Sequence, residues 1–398
     1  MPPTPLILIS DSVLGKTGLG RITRELAERI HANLSDSFRV ACIGYGGTTT
    51  SRSPFPIYPV SFSLESGYVM HQLPAIYQDF CGKQDGILFP IMNHGWLNWL
   101  ACPDILEPGP LKDFCMSPIR RWSYLPIDAE GPTGPLLPVE KKILSGLGRI
   151  AAYTTFGAKV IERTMEPIPI KIPVLPHGTD SWTFYPRSRS EARKLWFGPT
   201  ILKKEYASIP EDVLLLGCIA TNTPRKDWPL AFQSCSELVK TGHNAGLWIH
   251  TDRPLAHWDL FGMAEAYGIE NRVLITTSNL SDEELAWGIA ACNVILGVAP
   301  EGWGLPLSEA LACGVPVVTG RYAGATEFVP REMMVDPVMF RVDGPYASRR
   351  PVYLYKDWAA KILEVSQFET TDNTGFLDPS YTWKGCWTKW ADHLKDGL

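Results

Sequence analysis

No stretch of this 398-residue chain approaches the run of about 20 uncharged apolar residues that crosses a bilayer. The opening MPPTPLILIS holds four consecutive apolar residues with no basic segment before them, so neither a spanning helix nor a secretory leader is expected. Positive charge is not in excess either: 37 Lys and Arg face 42 Asp and Glu, a net charge of −5. That argues against binding nucleic acid by bulk electrostatics, while leaving room for a local basic cleft. Nine cysteines occur without a single C-x-x-C pair, which disfavours zinc sites, and their odd number fits reduced thiols in a cytoplasmic protein. What is present is ordinary for a globular chain, 45% hydrophobic and 20% charged, and the length suffices for two domains with cores of their own.

The apolar segments follow a strand and helix alternation. Leu6-Ile7-Leu8-Ile9 reads as a buried strand, followed by a loop with Gly15, Gly18 and Gly20 and a helix from about Arg21 to Leu34. Segments near 39–43, 86–91, 122–127, 150–154 and 172–175 supply further strands, and the Pro- and Gly-rich stretch 103–138 reads as loops. The alternation restarts past Asp180, with strands at 213–220, 246–250, 272–276 and 293–298 and helices at 229–240, 255–267 and 282–291. Two α/β domains with parallel sheets follow. A final helix, 381–394, carries Trp383, Trp387 and Trp390 on one face, which reads as packing although Lys384 and Lys389 lie beside them.

The segment EGWGLPLSEALACGVPVV, residues 301–318, is the most informative. The strand before it runs into a turn marked by Gly302, Gly304 and Pro306, and a helix from about Pro306 to Ala312 follows. Glycines let backbone N–H groups approach a ligand, and a helix start offers unpaired N–H groups and a positive dipole end to a diphosphate. Glu309, one turn in, can accept hydrogen bonds from a vicinal diol such as a ribose, while Glu301 precedes the turn and faces a reacting sugar. Either glutamate alone reads equally well as a helix-start or solvated loop residue. Together with the glycines and the strand after Gly314, they read as a site.

Here the chain resembles the large retaining GT-B glycosyltransferase family that includes sucrose synthases and bacterial mannosyltransferases. The pattern E-G-x-G-L-P-x-x-E-A-x-A-x-G-x-P-V-V is nearly complete. Weaker matches occur in the family's order: Gly18-Leu19-Gly20-Arg21, Pro176-His177-Gly178-Thr179-Asp180 and Arg225-Lys226-Asp227. The resemblance implies a GT-B fold, two Rossmann-like doubly wound domains facing a central cleft, at 1–178 and 179–375, with a terminal helix, 376–398, returning to the first. It implies transfer of a sugar from a nucleotide-diphosphate sugar to a hydroxyl acceptor, without metal or bound cofactor. Donor contacts are expected from Gly18, Gly20, Gly302, Trp303, Gly304, Leu305 and Glu309, and catalytic roles from Glu301, Lys226, Arg225, Asp128 and His94. The arginine that relatives place five residues before the lysine is Thr221 here, which leaves the second cation to Arg225 or to the first domain, and many relatives have a histidine where Asp128 stands.

The acceptor stays open between a saccharide, a protein and a hydroxymethylated base in DNA. The last rests on Trp96, Trp99 and Trp122 beside Arg120 and Arg121. The helix after the first glycine cluster carries Glu25 and Glu28 among its arginines, which leans away from a lipid acceptor, and no integral membrane contact is expected. An epimerase or hydrolase on this fold would lack the full motif. A scaffold that has lost activity is the alternative of another class.

Overall fold

The computed structural model describes residues 2–46, 52–61, 68–197, 212–277, 280–368 and 375–398. The chain divides into two compact units, Met1–His177 with Gly344–Ser348 and Cys386–Leu398, and Gly178–Asp343 with Arg349–Gly385.

In the first unit β1 (Thr4–Asp11), β2 (Phe38–Tyr45), β3 (Ile57–Val60), β4 (Ile87–Pro90), β5 (Arg120–Leu125) and β6 (Arg149–Ala152) form one parallel sheet in the order β3-β2-β1-β4-β5-β6. Leu6, Ile7, Leu8 and Ile9 of β1 are all fully buried, as a central strand covered on both faces requires. The second unit repeats the plan with β7 (Leu214–Ile219), β8 (Ala245–His250), β9 (Val273–Thr276), β10 (Val294–Gly297), β11 (Val317–Gly320) and β12 (Met334–Val335), in the order β12-β11-β10-β7-β8-β9. Both are doubly wound: three strands build outward from the first strand, then the chain crosses back and builds three more on its other side. The reversal falls between β1 and β4 in one unit and between β7 and β10 in the other, and ligands of such sheets bind beyond the strand ends at that reversal.

Two helix boundaries differ from the sequence expectation for identifiable reasons. The first glycine cluster is not a loop: Gly18–Asn33 is one helix, with Thr17 as its N-cap accepting a hydrogen bond from the Gly20 amide at 3.1 Å. Gly20 is required for packing, since a Cβ there would lie 2.4 Å from the Ser12 carbonyl oxygen at the end of β1. The helix expected at 255–267 is only Leu260–Ala266. Residues before it are held as a loop by Asn222, whose amide donates to the carbonyls of Arg253 and Trp258 at 2.9 and 2.7 Å, and those carbonyls cannot then serve a helix.

Tryptophan is mainly core. Trp99, Trp196, Trp228, Trp248, Trp358 and Trp390 are fully buried. Within the first unit, Trp390 from the terminal helix Trp383–Lys395 donates through Nε1 to the Pro176 carbonyl at 3.0 Å.

Candidate functional site

The second unit gathers its candidate residues at the reversal between β7 and β10. Past β7, Asn222 is buried and clamped: its amide N–H donates to Asp252 Oδ1 at 2.8 Å and its side-chain oxygen accepts from the Trp258 amide at 3.0 Å. This fixes the loop that carries Arg225 and Lys226 before the helix Trp228–Lys240 begins. Lys226 is only 6% exposed, unusual for a lysine unless it is paired. Its Nζ contacts Glu301 Oε1. Arg225 takes the other oxygen, Nη2 to Glu301 Oε2 at 2.9 Å, and anchors Nη1 on the Pro300 carbonyl at 3.0 Å. One carboxylate thus bridges two cations from a loop some 75 residues earlier, and the cluster keeps one net positive charge.

Past β10, Gly304 adopts φ +104°, a conformation favouring glycine, and caps the helix Leu305–Ala312, with Pro306 in its first turn. Pro306 has no N–H and the Leu307 amide is taken by the Gly304 carbonyl at 3.0 Å, so the positive dipole end of the helix and the residual charge of the cluster are what suit this position to an anion. Leu305 opens the helix and is partly exposed. Glu309 lies deeper, 2% exposed. Trp303 turns its indole into the core, stacked on Phe328 with centroids 4.6 Å apart and donating to Ser308 Oγ at 3.3 Å. What Trp303 can offer a ligand is therefore its backbone, not the aromatic face.

The turn has a support that sequence reasoning missed. The Gly324 amide donates to the Glu301 carbonyl at 2.9 Å, and a Cβ on Gly324 would sit 2.4 Å from the Gly302 carbonyl oxygen and 2.6 Å from that of Glu301. The Glu301–Gly302 backbone therefore lies directly against Gly324. A glycine just past a strand is the only signal, and its partner is distant in sequence.

In the first unit the expected residues fare differently. Gly18 and Gly20 form the first turn of a helix rather than a loop, just beyond β1. Asp128 is half-buried just past β5. His94, past β4, is buried, and its Nε2 meets Glu140 Oε1 at 2.8 Å, while Glu140 Oε2 accepts the Leu137 amide at 3.0 Å. This contact through Nε2 holds the turn past β4. The aromatic and arginine cluster expected at 96–122 does not exist. Trp99 and Trp122 are buried, and Arg149 and Arg120 lie over Trp122 at the opposite, N-terminal ends of β5 and β6, with Cζ 5.3 and 6.0 Å from its ring centroid. Only Trp96 stands exposed past β4.

Sequence reasoning also missed Asp11, the last residue of β1. Burial pushes its carboxyl up, and a hydrogen bond from Thr17 partly offsets this. His177, which matched the mid-chain motif, is fully buried with Nδ1 2.8 Å from the Tyr124 hydroxyl, and burial drives its pKa well below the usual histidine range. It is a neutral packing residue. Among the described residues, no three His, Cys, Asp or Glu side chains converge as ligands for an ion, and no helix is long and apolar enough to cross a membrane.

The profile of the family described as "Glycosyl transferases group 1" matches residues 203–332, which hold Arg225, Lys226, Glu301 and Glu309. The chain is similar to that family over those residues. It is 26% identical over 246 residues to a D-inositol 3-phosphate glycosyltransferase of Xylanimonas cellulosilytica, covering 61% of the chain and 58% of the relative. It is 28% identical over 205 residues to a GDP-mannose-dependent alpha-(1-6)-phosphatidylinositol monomannoside mannosyltransferase of Mycolicibacterium smegmatis, covering 49% of the chain and 50% of the relative. The match thus spans little more than half the length of these relatives. The fold of sucrose-phosphate synthase from Thermosynechococcus elongatus superposes with a TM-score of 0.71 at 16% identity, covering 99% of this chain and 98% of that one. The chain therefore has the two-domain GT-B α/β fold.

Proposed function

We propose that the chain transfers a sugar from a nucleotide-diphosphate sugar to a hydroxyl acceptor, with retention of anomeric configuration. The observation that carries this is the bridged Lys226–Glu301–Arg225 cluster beside the Gly304-capped helix start. The reaction breaks the bond between the anomeric carbon and the diphosphate oxygen, whose electron pair leaves with the diphosphate; the acceptor hydroxyl oxygen bonds the anomeric carbon on the same face, and its proton passes to the leaving diphosphate oxygen. Lys226, Arg225 and the positive end of the helix Leu305–Ala312 would stabilise the charge on that diphosphate, in a partly water-excluded position where such interactions are strong. Because these groups are fixed beforehand, little reorganisation is needed as charge develops. Cations and the helix end can supply this charge, so the transfer is proposed to proceed without a metal ion.

Glu301 keeps the two cations registered on each other, and its partly exposed carboxylate can accept a hydrogen bond from a sugar hydroxyl. Glu309 is assigned to the nucleotide's ribose diol. Its burial would strengthen hydrogen bonds from the two hydroxyls. In the first unit, Asp128 is the candidate at the acceptor, and His94 holds the loop past β4. The names of the two relatives, one acting on an inositol phosphate and one on a phosphatidylinositol mannoside, support a cyclitol or glycan hydroxyl as acceptor. Transfer to a base in DNA has lost its motivating cluster.

The test pairs binding with turnover. Wild type should show donor-dependent thermal stabilisation with one of the UDP, GDP, ADP or TDP sugars, and turnover with that donor should survive a chelator. Glu301→Gln should keep the fold and lose transfer by about 10²-fold, the size typical of a lost electrostatic partner. Stabilisation by a donor without turnover with any hydroxyl acceptor would favour the inactive scaffold, and unchanged transfer by Glu301→Gln would sink the catalytic assignment.

A further inference from the structure

The first unit has its own reversal point, between β1 and β4, and the residues past those strand ends differ in kind from those of the second unit. Asp11 closes β1 and pairs in register with Tyr45, which closes β2. The Tyr45 ring meets Tyr68 edge-on, with centroids 5.1 Å apart at 84°, and its hydroxyl donates to the Tyr68 carbonyl. Tyr68 then stacks flat on Trp96, centroids 4.4 Å apart and planes 14° from parallel. Trp96 is 37% exposed, although most tryptophans of this chain are buried.

This platform is rigid. Trp96 belongs to the short 3-10 helix His94–Leu97, whose start is capped by Asn93 Oδ1 accepting the Gly95 amide at 2.8 Å. The buried His94–Glu140 contact at 2.8 Å pins the same turn. An aromatic ring fixed by a parallel ring behind it loses little entropy when a flat ligand lands on it.

We propose that Trp96, backed by Tyr68, is the stacking platform for a neutral pyranose ring of the acceptor, with Asp11 accepting a hydrogen bond from one of that ring's hydroxyls. The proposal rests on the glycosyl-transfer reading above and narrows its acceptor to a saccharide. A pyranose presents a C–H face that an indole ring can cover and hydroxyls at its rim. The polar group beside the platform is a carboxylate, which suits a hydroxyl donor and repels phosphate, so an unphosphorylated ring is preferred.

The experiment uses the full chain without donor and methyl β-D-glucopyranoside as probe, followed by saturation-transfer NMR and titration. Trp96→Ala should weaken binding at least about fivefold, the lower end of what an aromatic stacking face contributes. Trp96→Phe should recover most of it, and Asp11→Asn should weaken binding with an unchanged melting temperature. Donor-nucleotide stabilisation, measured in parallel, should be the same for all three variants. Absence of probe binding to wild type, unchanged binding by Trp96→Ala, or tighter binding of glucose 6-phosphate than of the methyl glucoside would each overturn the proposal. Failure of every nucleotide sugar to bind would instead refute the transfer reading, by a separate measurement.

Discussion

Replacing Gly324 by alanine tests the site through its scaffold rather than its charges. At φ −61° and ψ −31° the backbone of Gly324 is helical, so alanine is free of conformational strain there. The added methyl meets two backbone oxygens, those of Gly302 at 2.4 Å and Glu301 at 2.6 Å. Contacts to backbone cannot be relieved by a rotamer change. To restore an ordinary carbon–oxygen separation, the Glu301–Gly302 segment must move by about 1 Å, and misplacement of that size costs about 10²-fold in rate when the displaced group positions reacting atoms. Glu301 would carry Arg225 and Lys226 with it, so donor affinity should weaken alongside the rate. The assay is initial-rate transfer with the donor that stabilises wild type, together with calorimetric titration of its nucleoside diphosphate. Gly242→Ala is the control, because its Cβ would meet nothing within 4 Å while its φ of +90° carries the backbone penalty that Gly324 lacks. If Gly324→Ala melts like wild type and transfers within twofold of it, the close approach does not position the site and the reasoning fails.

Two further outcomes are expected. Asn222→Ala removes a buried side chain that bonds four backbone groups, the carbonyls of Arg253, Pro254 and Trp258 and the Trp258 amide; unmet buried carbonyls and amides cost about 1–3 kcal/mol, so denaturant melts should show the second unit destabilised and donor titration should show weaker binding. In the first unit, His177 is held well below the usual histidine range and His393 is lowered to about 4, each mainly by burial, with Arg149 adding to the second. Above the unfolded value of about 6.5 both states are neutral and nothing is lost. Below it the unfolded chain takes up protons that the folded unit refuses, so stability falls with falling pH by up to about 1.4 kcal/mol per pH unit for each histidine. Melts at pH 7 and pH 5 should show the drop, His393→Gln should reduce it, and a profile flat from 7 to 5 would contradict the burial argument.

How far the sequence could be read depended on how local each signal was. The run from Glu301 to Val318 is legible because strand, turn glycines, helix start and carboxylates are all set by neighbours within one strand-turn-helix unit. The alternation of buried strands and helices made the two parallel sheets legible for the same reason. The start of the helix Gly18–Asn33 was misread because its glycines look like a loop, although Thr17 with a following amide at Gly20 is a capping arrangement. Gly324 and Asn222 act on segments far along the chain, and no periodicity records that. The supposed aromatic and arginine cluster failed in the opposite way: Trp96 and Trp122 are close in sequence, yet the chain crosses back between β4 and β5, so Trp96 lies past the C-terminal end of β4 and Trp122 near the N-terminal end of β5.

The same strand order serves two chemistries in one chain because the reversal point fixes only where a ligand can approach, leaving its character to the loops. Past β7 and β10 the loops bring a buried lysine, an arginine and a helix start, which suit a diphosphate. Past β1 and β4 they bring a carboxylate, tyrosines and an exposed tryptophan, which suit a neutral ring with hydroxyls and disfavour phosphate. If the two sets were interchangeable, a charge-reversing Asp11→Lys change would create a second diphosphate site at little cost. The physical argument says otherwise: the first unit has Gly18–Asn33 starting beyond Asp11, but the Thr17 side chain already takes the Gly20 amide at 3.1 Å, and among the described residues of the first unit no lysine or arginine is buried as Lys226 is in the second. Asp11→Lys should therefore abolish methyl glucoside binding without conferring nucleoside diphosphate binding on the first unit, with the second-unit site blocked by Lys226→Met. Titration of that double variant with nucleoside diphosphate decides it, since binding comparable to wild type would show that the loops are less specific than their residues imply.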